Sequence, residues 1–148
     1  MAGLTPAFHV ESERIHHDHQ VMLKQLTELE LEFERLHCTA DLRVASKIQE
    51  TFRKMARLLP EHCLREETWL YATVAQVSAE LATFAEEMKR EHANVLAALN
   101  AFCVALDELP NFVDFAAAIR QLHEQGLDVV RVLRAHITLE EKELSGFL

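Results

Sequence analysis

The sequence predicts an all-α protein, an antiparallel up-down-up-down four-helix bundle. Three glycines and three prolines are the only strong helix breakers in 148 residues, which favours long helices and short turns. Hydrophobic residues make up 49% of the chain and recur at steps of three and four along four segments, the period of an amphipathic helix. The length suits one domain with a sizeable core, so we expect residues 1–148 to form a single domain.

Each predicted helix has one stripe of residues that faces the core. The stripe of the first helix is Ile15, His19, Met22, Leu26, Leu29, Phe33 and Leu36. The stripe of the second is Ile48, Phe52, Met55, Leu59, His62, Glu66 and Trp69. The stripe of the third is Met88, His92, Val95, Leu99, Phe102 and Leu106. The stripe of the fourth is Phe115, Ile119, Leu122, Gly126, Val129, Leu133, His136 and Glu140.

Short breaks separate the four segments, near residues 38–41, 77–79 and 109–114. Short connections join antiparallel neighbours in a bundle. Side chains that can accept the free N–H groups of a first helical turn are candidate N-caps, and these are Ser12, Asp41, Ser78 and Asp114. Pro60 falls inside the second segment, where it removes one backbone hydrogen bond and is expected to kink the helix.

The second half of the chain repeats the first. Residues 62–70 and 136–144, HCLREETWL and HITLEEKEL, share the pattern H-x-x-x-E-E-x-x-L. The stripe positions of the first helix match those of the third, and those of the second match the fourth, at the same offsets. We therefore expect two copies of one helix pair, related by a pseudo-two-fold axis.

Six polar residues interrupt the apolar stripes: His19, His62, Glu66, His92, His136 and Glu140. An ionised glutamate in a bundle core is costly unless it is paired or bound to a metal. A histidine and a glutamate four residues apart project from the same face of a helix, so two such pairs can bring two carboxylates together between two cations. The pattern predicts a two-metal site with ligands from all four helices, and the alternative is a hydrogen-bonded polar layer without metal.

The four stripe histidines lie at similar distances from the predicted turns. At ~1.5 Å per helical residue, they fall in one layer, toward the bundle end that holds the N-terminus. Mixed histidine and glutamate ligands suit iron best, with manganese or zinc as alternatives. His37 follows His19 at ~27 Å along a helix and is excluded from the layer, while His9, His17 and His123 lie off the stripes.

The signature is Asp18-His19, His62-x-x-x-Glu66-Glu67, Glu91-His92 and His136-x-x-x-Glu140-Glu141. In this order and spacing it resembles the hemerythrin family, in particular its HHE cation-binding branch, over essentially the whole chain. The resemblance implies a non-haem di-iron centre with an oxo or hydroxo bridge that binds O₂ or a related small oxidant. It also implies that each of the four histidines ligates one metal and that Glu66 and Glu140 bridge both.

The chain departs from oxygen-carrying hemerythrins at two points. Met88 stands where they have an additional histidine, and the last carboxylate is either Glu140, which the stripe favours, or Glu141. His16 is a candidate extra ligand, one turn before His19. The His16-x-x-His19 pair is similar to the di-iron repair-of-iron-centres proteins, which respond to nitric oxide and oxidative stress, and that resemblance gives the ligand role to His16 rather than His19.

Further residues are expected around the site. Four acids adjoin a candidate ligand in sequence and are candidates to accept its second N–H group, with solvated surface charge as the alternative; they are Glu67, Glu141, Asp18 and Glu91. The stripes place a lid over the metal layer, formed by Trp69, Met88, Ile15 and Glu143. Glu143 is a charge on a core stripe, which indicates either an opening for a small ligand or a frayed helix end. Cys63 is expected to be a buried structural thiol.

Charge and composition disfavour several classes of partner and location. The net charge of −9 disfavours nucleic acid and anionic membranes as partners, and no apolar run approaches the ~18 residues of a membrane span. The first twenty residues lack the layout of a signal peptide, which favours a cytoplasmic protein. We expect a protein that binds O₂, nitric oxide or peroxide for sensing, scavenging or iron-centre repair. A di-iron oxidase or peroxidase-like enzyme and a zinc or iron storage bundle are the alternatives, and an oligomer remains open.

Overall fold

A computed structural model describes residues 3–111 and 113–148. Its four long helices are α1 (Pro6–Thr39), α2 (Leu42–Arg65), α3 (Ala79–Glu108) and α4 (Phe115–Glu143). α2 runs on through a π-helical segment (Glu66–Tyr71) and one α turn (Ala72–Val74), and a 3₁₀ turn (Leu109–Asn111) follows α3. α1 and α3 each pack against both α2 and α4, and the described residues contain no strand. The predicted four-helix bundle is confirmed.

Three of the four predicted N-caps are confirmed. The side chains of Asp41, Ser78 and Asp114 accept hydrogen bonds from first-turn N–H groups of α2, α3 and α4. Ser12 was a wrong prediction, because α1 begins two turns earlier, at Pro6, where Thr5 Oγ1 accepts the N–H of Phe8. Proline fits the first turn of a helix, where its missing N–H is not needed. Ser12 instead lies buried inside α1. The third predicted break includes residue 112, which lies outside the described residues.

The core consists of two apolar clusters with a polar layer between them. The larger cluster extends from Met22, Cys63, Val95 and Ile137 to the far end of the bundle. The smaller cluster closes the end that holds the N-terminus, and it is formed by Phe8, Ile15, Leu70, Tyr71, Val74, Ala85, Met88 and Leu144. The six polar stripe residues lie where the two clusters meet, and all six are buried. Cys63 is buried in the core, as predicted.

The π-helical segment changes which residues of the second helix face the core. A π turn contains one residue more than an α turn, so the α-helical period fails after Glu66. The predicted stripe continued to Trp69, but 37% of Trp69 is exposed, whereas Leu70 and Tyr71 are fully buried. The prediction of Trp69 as a core and lid residue was therefore wrong. A smaller shift occurs in α4, where Val130 is buried and Val129 packs at the edge of the core.

Within residues 3–111 and 113–148, one helix, Ala79–Asn111, is long and apolar enough to cross a membrane by length and composition alone. Its stripe from Met88 to Leu106 is buried against the other helices. A core helix of a bundle meets the same criterion because it is apolar on the face that packs.

Candidate metal centre

Two groups of potential metal ligands adjoin in the polar layer. The first consists of His19, His62 and Glu66, and the second of Glu66, His92, His136 and Glu140. Within each group the potential ligand atoms lie within 4.8 Å of one another. Glu66 belongs to both groups, so its carboxylate lies between the two positions where an ion fits.

The distances around Glu66 suit a carboxylate shared by two cations. Its Oε1 lies 2.8 Å from Nε2 of His19 and 3.0 Å from Nε2 of His62, and its Oε2 lies 2.9 Å from Nε2 of His92. Glu140 is placed similarly, with Oε2 at 3.2 Å from Nε2 of His19 and Oε1 at 3.3 Å from Nε2 of His136. Neighbouring ligand atoms that each lie ~2.1 Å from one ion are about 3 Å apart, which is the spacing found here.

Three buried polar atoms at the centre of the layer approach a facing side chain within 3.3 Å but form no hydrogen bond of suitable geometry among the described residues: Glu66 Oε2, His136 Nε2 and Glu140 Oε2. Leaving a buried polar atom unpaired is costly. All three atoms carry lone pairs suited to a cation, and carboxylate and imidazole together suit iron, manganese or zinc. The residues present therefore fit a pair of metal ions.

The outward nitrogen of each histidine contacts a carboxylate. Nδ1 of His19 lies 2.6 Å from Glu141 and Nδ1 of His92 lies 2.8 Å from Glu67. Nδ1 of His62 lies 3.1 Å from Asp18, and Nδ1 of His136 lies 2.8 Å from Glu91. All four acids that adjoin a candidate ligand in sequence are brought to a histidine ring. Each contact fixes the ring with Nε2 pointing inward, as carboxylates do for metal-binding histidines.

When no metal is bound, the contacts between histidines and glutamates determine the pKa values of the side chains in the polar layer. Burial opposes the charged form of His19, but its contacts with Glu140 and Glu66 outweigh burial and raise its pKa to about 10. Burial is likewise outweighed at His136, where Glu140 raises the pKa to about 9. Burial alone would raise the pKa of Glu66, but hydrogen bonds from His19, His62 and other histidines hold it well below its usual value. The Glu66 carboxylate therefore stays charged, which favours the binding of a cation.

Tyr71 was missed by the sequence analysis. Its hydroxyl lies 3.1 Å from Nε2 of His92 and donates a hydrogen bond to Oε1 of Glu140. Burial, with the charges of Glu66 and Glu140, raises the pKa of Tyr71, so the phenol keeps its proton. Only the π-helical segment turns this residue inward, and the α-helical period gave no signal of it.

The structure does not bring His16 into either ligand group. Its side chain is 43% exposed, and its Nδ1 lies 3.0 Å from Glu141 rather than near Glu66 or Glu140. His16 therefore contacts the carboxylate that holds His19.

The lid over the layer differs from the prediction at two of its four positions. Met88 and Ile15 are buried there, as predicted, together with Leu70, Tyr71 and Leu144. Glu143 is exposed at the end of α4, because the helix ends there and Leu144 turns inward instead. The prediction of Glu143 as a lid residue was wrong, like that of Trp69.

A small cavity of about 10 Å³ adjoins the layer on the side of the larger apolar cluster. Polar residues of the layer, among them His62, Glu66 and His136, form one side of its wall. Apolar residues such as Met22 and Leu133 form the other. Its size is that of about one water molecule.

A four-helix bundle with adjoining histidine and glutamate clusters in its core belongs to the class of helical-bundle metal proteins. Comparison with protein families shows which one: the hemerythrin HHE cation binding domain matches residues 10–148. The chain belongs to this family of cation-binding domains, and the histidine and glutamate groups of its polar layer could hold a metal. The family resemblance of the sequence signature is thus confirmed. Searches among curated proteins and among solved structures each gave no significant match.

Proposed function

We propose that the centre holds two iron ions and binds O₂, nitric oxide or peroxide. His19 and His62 would hold one ion, His92 and His136 the other, and Glu66 and Glu140 would bridge both. The observation that carries the proposal is the position of Glu66, whose two carboxylate oxygens approach histidines of both groups. Iron bound there would supply electrons and open coordination positions for a small oxidant.

The surroundings of the layer support a ligand of very few atoms. The adjoining cavity has a volume of about 10 Å³, and the apolar lid closes the bundle end. A larger substrate would have to displace core side chains on either side. The mostly apolar cavity wall favours uncharged ligands, which lose little solvation energy on entry. Sensing, scavenging and iron-centre repair all use such ligands.

Metal content and spectra test the proposal. Protein purified from iron-replete cells should contain two irons per chain, and the reduced protein should develop an oxo-bridge charge-transfer band in air. Glu66→Gln should lower the iron content below two, because it removes the charge shared by both positions. His37→Gln, which changes a histidine remote from the layer, is the matched control and should leave the content unchanged. Stoichiometric zinc and a featureless spectrum would overturn the di-iron proposal.

Tyr71 favours a second candidate function, a peroxidase-like enzyme. Reduction of peroxide to two waters consumes two protons and two electrons; the ferrous ions would supply the electrons. The Tyr71 hydroxyl retains its proton beside Glu140 and is positioned to donate one of the two. Tyr71→Phe should keep two irons per chain and slow peroxide turnover by about tenfold or more. Unchanged turnover in this variant would remove the support that Tyr71 gives to an enzyme.

A further inference from the structure

The two halves of the centre are alike in their ligands but differ in the partners of their outer carboxylates. The internal repeat pairs Asp18 with Glu91, because each precedes a histidine of the signature. Asp18 holds His62 at one metal position, and Glu91 holds His136 at the other. If these two acids have different partners, the surroundings of the two metal positions differ as well.

A fixed positive charge lies against only one of the two acids. Nη1 of Arg65 lies 2.8 Å from Asp18 Oδ2, the same oxygen that lies 3.1 Å from Nδ1 of His62. The Arg65 side chain is 17% exposed and is anchored on its other side by Glu11. An arginine remains charged at any ordinary pH, so Asp18 always faces a positive charge, which it shares with Glu11 and Glu61.

The matching position in the second half carries no charge. The residue that follows His62 by three is Arg65, whereas the residue that follows His136 by three is Leu139. Among the described residues, Glu91 has no charged partner other than His136. The carboxylate that holds His136 thus lacks the second basic partner that Asp18 has in Arg65.

The other two outer acids, Glu141 and Glu67, also differ in their number of partners. Glu141, which holds His19, also lies 3.0 Å from Nδ1 of His16 with each of its oxygens. Glu67, which holds His92, contacts no other charged side chain among residues 3–111 and 113–148. Lys89 occupies the position that matches His16 but pairs with Glu86. Both acids of the first half contact a second basic side chain, Arg65 or His16, and among the described residues neither acid of the second half does.

An uncompensated carboxylate makes the imidazole that it holds a stronger donor to a metal. We propose that the metal position at His92 and His136 prefers the more highly charged of two cations, and that the position at His19 and His62 prefers the divalent one. Arg65 is the positioning residue that sets this difference. This inference rests on the proposed two-metal function.

Redox-inert ions test the preference without any turnover. The protein is loaded with Zn²⁺ and Ga³⁺ in equal amounts, as stand-ins for ferrous and ferric iron, and the two elements are located by anomalous X-ray scattering at their separate edges. Gallium should occupy the His92–His136 position in about tenfold excess over the other position. The exchange variant R65L/L139R, which moves the positive charge to the other half, should reverse the preference or abolish it.

Single variants keep the test decisive if the exchange variant fails to fold. Arg65→Leu should reduce the excess severalfold, whereas Arg65→Lys, which retains the charge, should preserve it. Two ions per chain distributed evenly over the two positions, or a preference that Arg65→Leu leaves unchanged, would overturn this inference alone. Fewer than two bound ions per chain would overturn the proposed function and the inference with it.

Discussion

Each core histidine is held from both sides of its ring. At His62, for example, Asp18 contacts Nδ1 and Glu66 contacts Nε2. A ring fixed in this way loses little conformational freedom when it binds a metal, so the ligands are preorganised. The same carboxylates keep the empty layer together by charge pairing, so the layer can form before a metal arrives.

Gly126 lies where the core leaves no space for a side chain. A Cβ added there would overlap the ring of Phe33, and that ring is fixed by Phe52 and Phe102, with centroids 6.0 Å and 5.8 Å away. We expect Gly126→Ala to destabilise the protein by about 1–3 kcal/mol, measured by urea unfolding. Gly146→Ala, where a Cβ meets nothing within 4 Å, is the control and should leave stability nearly unchanged. If Gly126→Ala is as stable as wild type, the packing described here is incorrect.

Residue periodicity was sufficient to find the six polar residues of the layer, because helices that pack along their whole length keep one face buried. It also found the four outer acids as neighbours of the ligands. It could not decide whether those acids are solvated, since that depends on the rotation of the neighbouring helix. Glu141 illustrates this point, because it lies next to Glu140 in sequence but contacts His19 of α1.

At the scale of the element, the π-helical segment reorients the end of the second helix. Its extra residue places Tyr71 beside His92 and turns Trp69 outward. The sequence contains no glycine or proline at this point, so the change is imposed by packing between helices rather than by local propensity. For this reason the helix could be predicted from its stripe, and the register of its last two turns could not.

Alanine substitutions test this register. Leu70→Ala should cost about 2–5 kcal/mol, as expected for a fully buried leucine, whereas Trp69→Ala should cost about 1 kcal/mol or less because Trp69 is partly exposed. Thermal or urea unfolding of both variants measures the difference. An uninterrupted α-helix would place the two side chains at similar angles on either side of the buried stripe, so equal losses for the two variants would contradict this register.

The C-terminus of α1 contains a backbone strain that one substitution should relieve. Ala40 has φ 51° and ψ 34°, a left-handed conformation in which its N–H caps the carbonyl of Leu36. This conformation costs a residue with a Cβ about 1–2 kcal/mol, so Ala40→Gly should stabilise the protein by about 1 kcal/mol. Ala97→Gly, the same change at an exposed position inside α3, should destabilise it by about 1 kcal/mol. If both variants were more stable than wild type, or both less stable, the left-handed cap at Ala40 would be contradicted.

At the scale of the whole molecule, the polar layer interrupts an otherwise apolar core, and its charges are balanced internally. Glu66 and Glu140 are fully buried, and without metal only the surrounding histidines can compensate them. Protons and metal ions therefore compete for the same nitrogen atoms. This competition makes the stability of the entire bundle depend on pH in a way that metal should remove.

The metal-free protein should lose stability as the pH rises. His19 and His136 have pKa values near 10 and 9 in the folded chain, above about 6.5 for an unfolded histidine. A raised folded pKa gives stabilisation that is complete below pH ~6.5 and is lost as the pH rises through the folded values. We expect the free energy of unfolding, measured in urea, to fall progressively between about pH 6.5 and 10.

Loading with Zn²⁺ should remove this dependence, because a nitrogen that binds a metal cannot also hold a proton. Binding at pH 7.5 should therefore release protons, detectable with an indicator dye in weak buffer. His37→Gln, a change in an exposed histidine far from the layer, should alter neither result. A metal-free protein that is as stable at pH 10 as at pH 6.5, or zinc binding without proton release, would show that the buried histidines are neutral before metal binds.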